Sequence, residues 1–187
     1  MVNLETSDKI EFELKFKVNN FEKIREIILK HCKFVEKRYE NDFYFDFEDN
    51  RLFYSDKVLR VRIYNGKVVL TYKGKRFFSD QNKIKAREEI EVKVDGKDII
   101  KILEKIGMKC KINLIKTREI YSLNNNITIC LDDIHNLGKF VEIEVSAKDT
   151  NEAYDKIKEI SKMLNLNIND SIKKSYLELL TSKIKNN

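Results

Sequence analysis

A chain of 187 residues, 42% of them hydrophobic, has room for one domain over residues 1–187 with a real core, and too much apolar content for disorder. Its net charge of +6 is the small difference between 37 bases and 31 acids, a mixture that disfavours a plain nucleic-acid binder, whose basic face carries few acids. No apolar run approaches the ~20 residues of a membrane span, the opening MVNLETSDKI lacks a signal-peptide core, and Cys32, Cys110 and Cys130 are too few and scattered for zinc or a disulfide framework, so the expectation is a reduced, cytoplasmic protein.

Ile10 to Val18 alternates apolar and polar and predicts a strand. Asn19-Asn20 opens a helix: Asn19 with Glu22 fits a capping box, and Phe21, Ile24, Ile27 and Ile28 supply one apolar face. Lys33 to Phe47 alternates again. Arg38, Glu40, Asp42, Tyr44 and Asp46 fall on one side, Tyr39, Phe43, Phe45 and Phe47 on the other. Val58 to Tyr64 and Lys67 to Lys73 are strands joined by Asn65-Gly66, a two-residue hairpin turn. Gly74 to Lys83 reads as a basic loop, and Lys85 to Val94 as a strand that Asp95-Gly96 breaks. Ile99, Ile102, Leu103 and Ile106 recur at i, i+3, i+4, i+7, predicting a helix stopped by Gly107. Asn113 to Leu123, Asn124 to Asn126, and Ile127 to Leu131 read as strand, turn, strand, and Leu137-Gly138 turns into a strand over Lys139 to Ala147. Asp149 with Glu152 caps a helix buried by Ala153, Tyr154, Ile157, Ile160 and Leu164, and a last amphipathic helix runs from about Ser171 to Lys183. About eight hairpin-connected strands with a few helices predict an α+β domain built mainly on an antiparallel sheet.

The polar faces of these strands are unusual. EFELK (Glu11 to Lys15), EIEVK (Glu89 to Lys93) and EIEVS (Glu142 to Ser146) each place two glutamates two residues apart, while Arg60 and Arg62, and Lys116 and Arg118, pair in the same way. One alternative is the wet face of a one-sided sheet. The other is a sheet closed with its charges inside, because the apolar faces suffice to engage the helices outside. Closure brings seven acids (Glu11, Glu13, Glu89, Glu91, Asp132, Glu142, Glu144) against seven bases (Lys15, Arg60, Arg62, Lys73, Arg87, Lys116, Arg118). Carboxylates at i and i+2 lie about 6 to 7 Å apart and repel by about 2 to 3 kcal/mol at an effective dielectric near 20. Cations must offset this. Clustered carboxylates suit Mg²⁺ or Mn²⁺, and clustered Arg and Lys suit a phosphate polyanion.

These segments resemble the CYTH superfamily, the triphosphate tunnel metalloenzymes. EFELK is similar to its ExExK signature, NDFYFD (Asn41 to Asp46) to its second-strand segment, LRVR (Leu59 to Arg62) to its paired-arginine strand and LTYKG (Leu70 to Gly74) to its lysine strand. REEIEV, KTREIY, LDDIHNLGKFVEIE and KSYLELL follow in the family's order, nearest its class IV adenylate cyclase branch. The resemblance implies an eight-stranded closed β-barrel with helices packed outside. It implies a triphosphate clamp of Lys15, Arg60, Arg62, Lys73, Arg87, Lys116 and Arg118. It also implies one or two Mg²⁺ or Mn²⁺ ions on Glu11, Glu13, Asp132, Glu142 and Glu144, with Glu89 and Glu91 as ligands or counter-ions. Lys15 and Lys73 take catalytic parts, as does Tyr44, which matches a tyrosine implicated in activating water; beside lysines a lowered pKa would suit it to act as base or orienter. Lys173 and Lys174 read as a solvated helix face.

The family leaves the reaction open. Inorganic triphosphate, ATP and thiamine triphosphate are the candidate partners, with hydrolysis of inorganic triphosphate the leading expectation. Cyclisation of ATP to cyclic AMP and pyrophosphate is the alternative, and a non-catalytic polyphosphate-binding module the third. No membrane or nucleic-acid partner is expected, and a homodimer is compatible with this kind of fold.

Overall fold

The computed structural model describes residues 10–78 and 85–185, with backbone alone for residues 10, 11, 77, 78, 85, 86, 184 and 185. In chain order the elements are β1 (Ile10–Val18), α1 (Glu22–His31), β2 (Lys33–Asp46), α2 (Arg51–Tyr54), β3 (Val58–Tyr64), β4 (Lys67–Lys73), β5 (Phe77–Phe78), β6 (Lys85–Ala86), β7 (Glu89–Val94) and α3 (Asp98–Lys105). They continue with β8 (Lys109–Asn124), β9 (Ile127–Ile134), β10 (Gly138–Ala147), α4 (Thr150–Met163) and α5 (Tyr176–Lys185), with a 3-10 turn at Ile168–Asp170. The strands form one antiparallel sheet in the order β5-β6-β1-β10-β9-β8-β2-β3-β4-β7. None of the helices among the described residues is long and apolar enough to cross a membrane.

One stretch of chain links the two sides of this sheet, whose end strands β5 and β7 do not pair with each other among the described residues. The expected strand Lys85 to Val94 is two strands. β6 meets β1, with Lys85 opposite Glu13, and β7 runs along β4, with Glu89 opposite Lys73. The segment thus joins the two ends of the ladder, and the polar faces of the long strands turn toward a common interior.

Helices cover the outer faces. Phe12, Leu14 and Phe16 of β1, Ile129 and Leu131 of β9, and Val141, Ile143 and Val145 of β10 pack with Phe21 and Ile28, and with Ala153, Ile157 and Ile160 of α4. A second cluster joins Phe45, Val61 and Val68 to Leu103 of α3 and to Met108. A third cluster lies on the inner face, in phase with the lumen charges: Tyr176 of α5 packs there against Leu114, Ile134 and Phe140.

The local signals behave as their chemistry dictates at several points. Asn65 and Gly66 take φ of 47° and 75°, the left-handed pair that a two-residue hairpin requires. Asp149 accepts hydrogen bonds from the N–H groups of Asn151 and Glu152, both at 2.9 Å, as an N-cap. Other expectations need correction. The first helix begins after Phe21, which makes no side-chain cap, so the Asn19 capping box does not form. On α3, Leu103 is buried with Ile99 and Ile100 packed beside it, whereas Ile102 and Ile106 are exposed; the buried stripe is rotated because only one flank of this short helix meets the sheet. Ile90 and Val92 on β7 are also half exposed, so the helical cover stops short of that edge. The final helix starts at Tyr176 rather than near Ser171, because Ile172 is held in a β-bridge, its N–H donating to the Lys15 carbonyl at 2.8 Å. Of the basic loop Gly74 to Lys83, residues 79–83 lie outside the described residues.

Candidate active site

The inward faces enclose a cavity of about 360 Å³. Lys15, Arg38, Arg60, Arg62, Lys73, Arg87, Lys116 and Arg118 line it, against the carboxylates of Glu13, Glu89, Glu91, Glu142 and Glu144. Bases outnumber acids on the wall, so the lumen favours a polyanion. Most of the ion pairs are cross-strand neighbours: Lys15 faces Glu142, Arg62 faces Asp42, Lys73 faces Glu89, Lys116 faces Glu40 and Arg118 faces Asp132.

Two guanidiniums are forked onto buried carboxylates. Arg118 donates through Nε and Nη2 to the two Asp132 oxygens at 2.7 and 2.6 Å, and reaches Glu142 at 2.8 Å and Glu144 at 3.1 Å. Arg62 forks onto Asp42 at 2.7 and 2.8 Å, and its Nη1 lies 3.1 Å from Glu40 Oε2. Glu40, Asp42 and Asp132 are essentially without solvent contact. Burial opposes the ionisation of Asp42, Asp132 and Glu142, but Arg62 holds the Asp42 carboxyl, and Arg118 those of Asp132 and Glu142, below the usual carboxylate range. Lys15 donates to Glu13 at 3.0 Å and lies 3.5 Å from Glu142. Burial works against its charge, yet these two acids push its pKa above the ordinary lysine value, and Lys15 in turn draws Glu13 down.

Other donors are under-used. Arg60 donates to Thr71 Oγ1 at 3.1 Å but stands 3.7 to 3.9 Å from Asp42, Glu89 and Glu91. Among the described residues, the buried Nε atoms of Arg60 and Arg38 have no hydrogen-bond partner. Such orphaned donors mark positions where ligand oxygens fit. Lys73 donates to Glu89 at 2.6 Å; burial and then the Arg60 charge lower its pKa.

Tyr44 departs from expectation. Burial, followed by the Asp42 charge, pushes its pKa up to about 12 rather than down, so its hydroxyl stays protonated at neutral pH. Glu11 lies opposite Ser146 in the β1–β10 ladder, and its side chain is outside what is described. Arg87, Glu89 and Glu91 all line the cavity, and Lys173 and Lys174 are exposed.

The donor set for a divalent cation is all oxygen. Glu13 stands opposite Glu144 across the ladder, with Glu142 two residues along the same strand as Glu144. This chemistry fits Mg²⁺ or Mn²⁺. Among the described residues no three His, Cys, Asp or Glu converge as a ready-made cage; Lys15 and Arg118 engage the oxygens that a cation would take. Asp132 has both oxygens committed to Arg118, and its Oδ2 also accepts from the Tyr176 hydroxyl at 2.9 Å.

Four site residues were left out of the sequence-based set. Glu40, Asp42 and Arg38 share the Tyr44 face of β2, so strand parity alone could have nominated them. Tyr176 could not be found that way. It arrives from α5, and its ring receives the Lys15 and Lys116 ammoniums, each 5.3 Å from the centroid. Asp46, in phase with Tyr44 by sequence, instead accepts the N–H groups of Phe47, Leu52 and Phe53 and holds α2 against the strand.

Residues 9–176 match the family described as CYTH domain. A Methanocaldococcus jannaschii protein named "Putative adenylate cyclase MJ0240" is 39% identical over 176 residues, covering 91% of this chain and 98% of that protein. The structure of the PH1819 protein from Pyrococcus horikoshii superposes with a TM-score of 0.79 at 34% identity, covering 92% of this chain and 99% of that one. The same fold recurs at 16% identity and a TM-score of 0.71, over 94% of this chain and 96% of the other, in the Hippeastrum protein HpAC1, described as a "putative adenylyl cyclase" that reveals a dominant triphosphatase activity. This chain belongs to the CYTH domain family.

Proposed function

We propose that the lumen binds a linear triphosphate with Mg²⁺ or Mn²⁺ and that the chain hydrolyses it, inorganic triphosphate being the leading substrate. The observation that carries this reading is a lumen where bases outnumber carboxylates and where buried Arg38 and Arg60 donors lack acceptors. Glu13, Glu142 and Glu144 would hold the cation, and Glu11, two residues before Glu13 in the sequence, is a further candidate ligand. When bound there, the cation would neutralise charge on the non-bridging oxygens. Asp132, committed to Arg118 and Tyr176, serves as the counter-ion that aims that arginine. Lys15, Arg38, Arg60, Lys73, Arg87 and Lys116 grip the phosphate oxygens, while Arg62 and Arg118 complete the positive wall from their carboxylate forks. Water attacks the terminal phosphorus, the bond to the bridging oxygen breaks, and pyrophosphate leaves with its charge spread over these bases. Tyr44 orients the water through a hydroxyl that keeps its proton.

A cyclase reading stands second, favoured by the name of the 39% identical relative. There the ribose 3′-oxygen of ATP attacks the α-phosphorus and pyrophosphate leaves. It needs room for a nucleoside. The lumen is at the small end of the ~300–1,000 Å³ range of small-molecule sites, and Val58 and Leu177 are its aliphatic lining. That composition supports hydrolysis of a compact polyanion. The deciding assay incubates the protein with Mg²⁺ or Mn²⁺ and, separately, inorganic triphosphate, ATP or thiamine triphosphate, and quantifies phosphate, pyrophosphate and cyclic AMP. Phosphate from triphosphate is expected. Cyclic AMP with stoichiometric pyrophosphate would establish the cyclase instead, and no turnover of any substrate would leave a binding module.

A further inference from the structure

The lumen bases divide by the exposure of the acids that hold them. Arg62 and Arg118 are forked onto Asp42 and Asp132, which lie beneath the wall and meet almost no solvent. Lys73 and Arg60 are held differently. Lys73 donates to Glu89 Oε2 at 2.6 Å, and Arg60 Nη2 lies 3.8 Å from Glu89 Oε1, while the Glu89 side chain is 32% exposed. Glu89 stands at the start of β7, the terminal strand of the sheet, paired on one side to β4. A carboxylate there can turn to water at little cost, which a carboxylate at Asp42 or Asp132 cannot. Lys73 thus has a replaceable counter-ion in Glu89, as Lys15 has in the 31% exposed Glu13; Arg60 shares Glu89 with Lys73, stands as loosely beside Glu91 and Asp42, and its Nε lacks an acceptor.

We propose that Glu89 is a placeholder: its carboxylate occupies, on Lys73 and Arg60, the position of a substrate phosphate, and it yields that position when a polyphosphate enters. Glu89 is then a positioning residue that keeps two cations aligned in the free protein, and it is not a metal ligand. This rests on the lumen's being a triphosphate site.

The two roles predict opposite results for Glu89→Gln, whose amide keeps shape and loses charge. Binding of inorganic triphosphate is measured by calorimetry in the presence of a chelator, and the Mg²⁺ concentration for half-maximal hydrolysis is measured separately. A placeholder predicts that Glu89→Gln binds about fivefold tighter, the scale of a partly exposed ion pair, with an unchanged Mg²⁺ requirement. The gain should vanish in a Lys73→Met background, because no ammonium remains to be released. A raised Mg²⁺ requirement overturns the proposal in favour of a metal ligand. A gain that persists fully with Lys73→Met overturns it in favour of general charge repulsion. If the wild type binds and Glu89→Gln binds no tighter, the placeholder alone fails. If the wild type does not bind triphosphate with or without Mg²⁺, the triphosphate reading fails and this inference with it.

Discussion

The Tyr44 hydroxyl sits two residues from Asp42 on β2 and opposite Arg60 on β3. Burial and the Asp42 charge outweigh the help of Arg60 and Arg62, and the phenol is pushed up to about 12. The family resemblance and the expected lysine neighbours suggested a base or orienter with a lowered pKa; the neighbours it actually has make it a neutral donor. A general base typically contributes about 10²–10⁴ in rate. Tyr44→Phe is therefore expected to lose less than about tenfold in kcat for triphosphate hydrolysis, with no shift in the pH–rate profile. A loss of a hundredfold or more would restore the tyrosine as base. The buried Asp42 and Asp132 follow the same logic. Their identity as acids was visible in the sequence, but their commitment to Arg62 and Arg118 was not, because partners 20 and 14 residues away are chosen by register.

Among the elements, α5 combines a local cap with a tertiary clasp. Ser175 and Glu178 cap it reciprocally: Glu178 accepts from the Ser175 N–H at 2.7 Å, and Ser175 Oγ accepts from the Glu178 N–H at 3.2 Å. Arg76, beyond β4, then clasps Glu178 at 2.8 and 2.9 Å and also holds Asp56. This joint seats Tyr176 and Leu177 at the lumen. Burial opposes the Glu178 charge, but Arg76 and Ser175 bring its pKa to about 2, from 4.5. The folded value lies below the unfolded one, so the stabilisation is complete above about pH 4.5 and is lost as pH falls through 2. Glu178→Gln should cost about 1 kcal/mol at pH 7 once solvent screening is allowed for. Urea unfolding at stepped pH should show variant and wild type converging near pH 2. A constant gap across that range would mean that charge at Glu178 is not what fastens the helix.

For the whole molecule, wrapping the sheet places many like charges inside one small volume. The buried acids relieve Arg62 and Arg118, while Arg38 and Arg60 retain unused donors. A polyanion should therefore stabilise the folded chain even without metal. At a hundred times its dissociation constant, triphosphate would add about 2.7 kcal/mol, which for a chain of this size raises Tm by roughly 5 to 10 °C. Thermal unfolding in chelator, with sulfate at matched ionic strength as control, measures this. An equal rise with sulfate would show that the lumen does not distinguish a triphosphate from general screening.

The sequence by itself determined what is decided within a few residues. Alternation in EFELK set Glu13 and Lys15 on one face and Phe12 and Leu14 on the other; Asn65-Gly66 set the β3–β4 hairpin; Asp149 set the start of α4. Each depends on backbone geometry or on a bond to a residue at most three away. The same parity made Glu40 and Asp42 legible beside Tyr44. Tertiary structure decided which charges meet. It joined Lys73 to Glu89 and Arg118 to Asp132, diverted Asp46 to a helix terminus, left Ile102 and Ile106 exposed, and brought Tyr176 over Lys15 and Lys116. Those outcomes depend on how the sheet curves and which helix flank reaches it. Period-two alternation is the same for a strand facing water and for one facing a lumen, so only closure turns a charged face into a site.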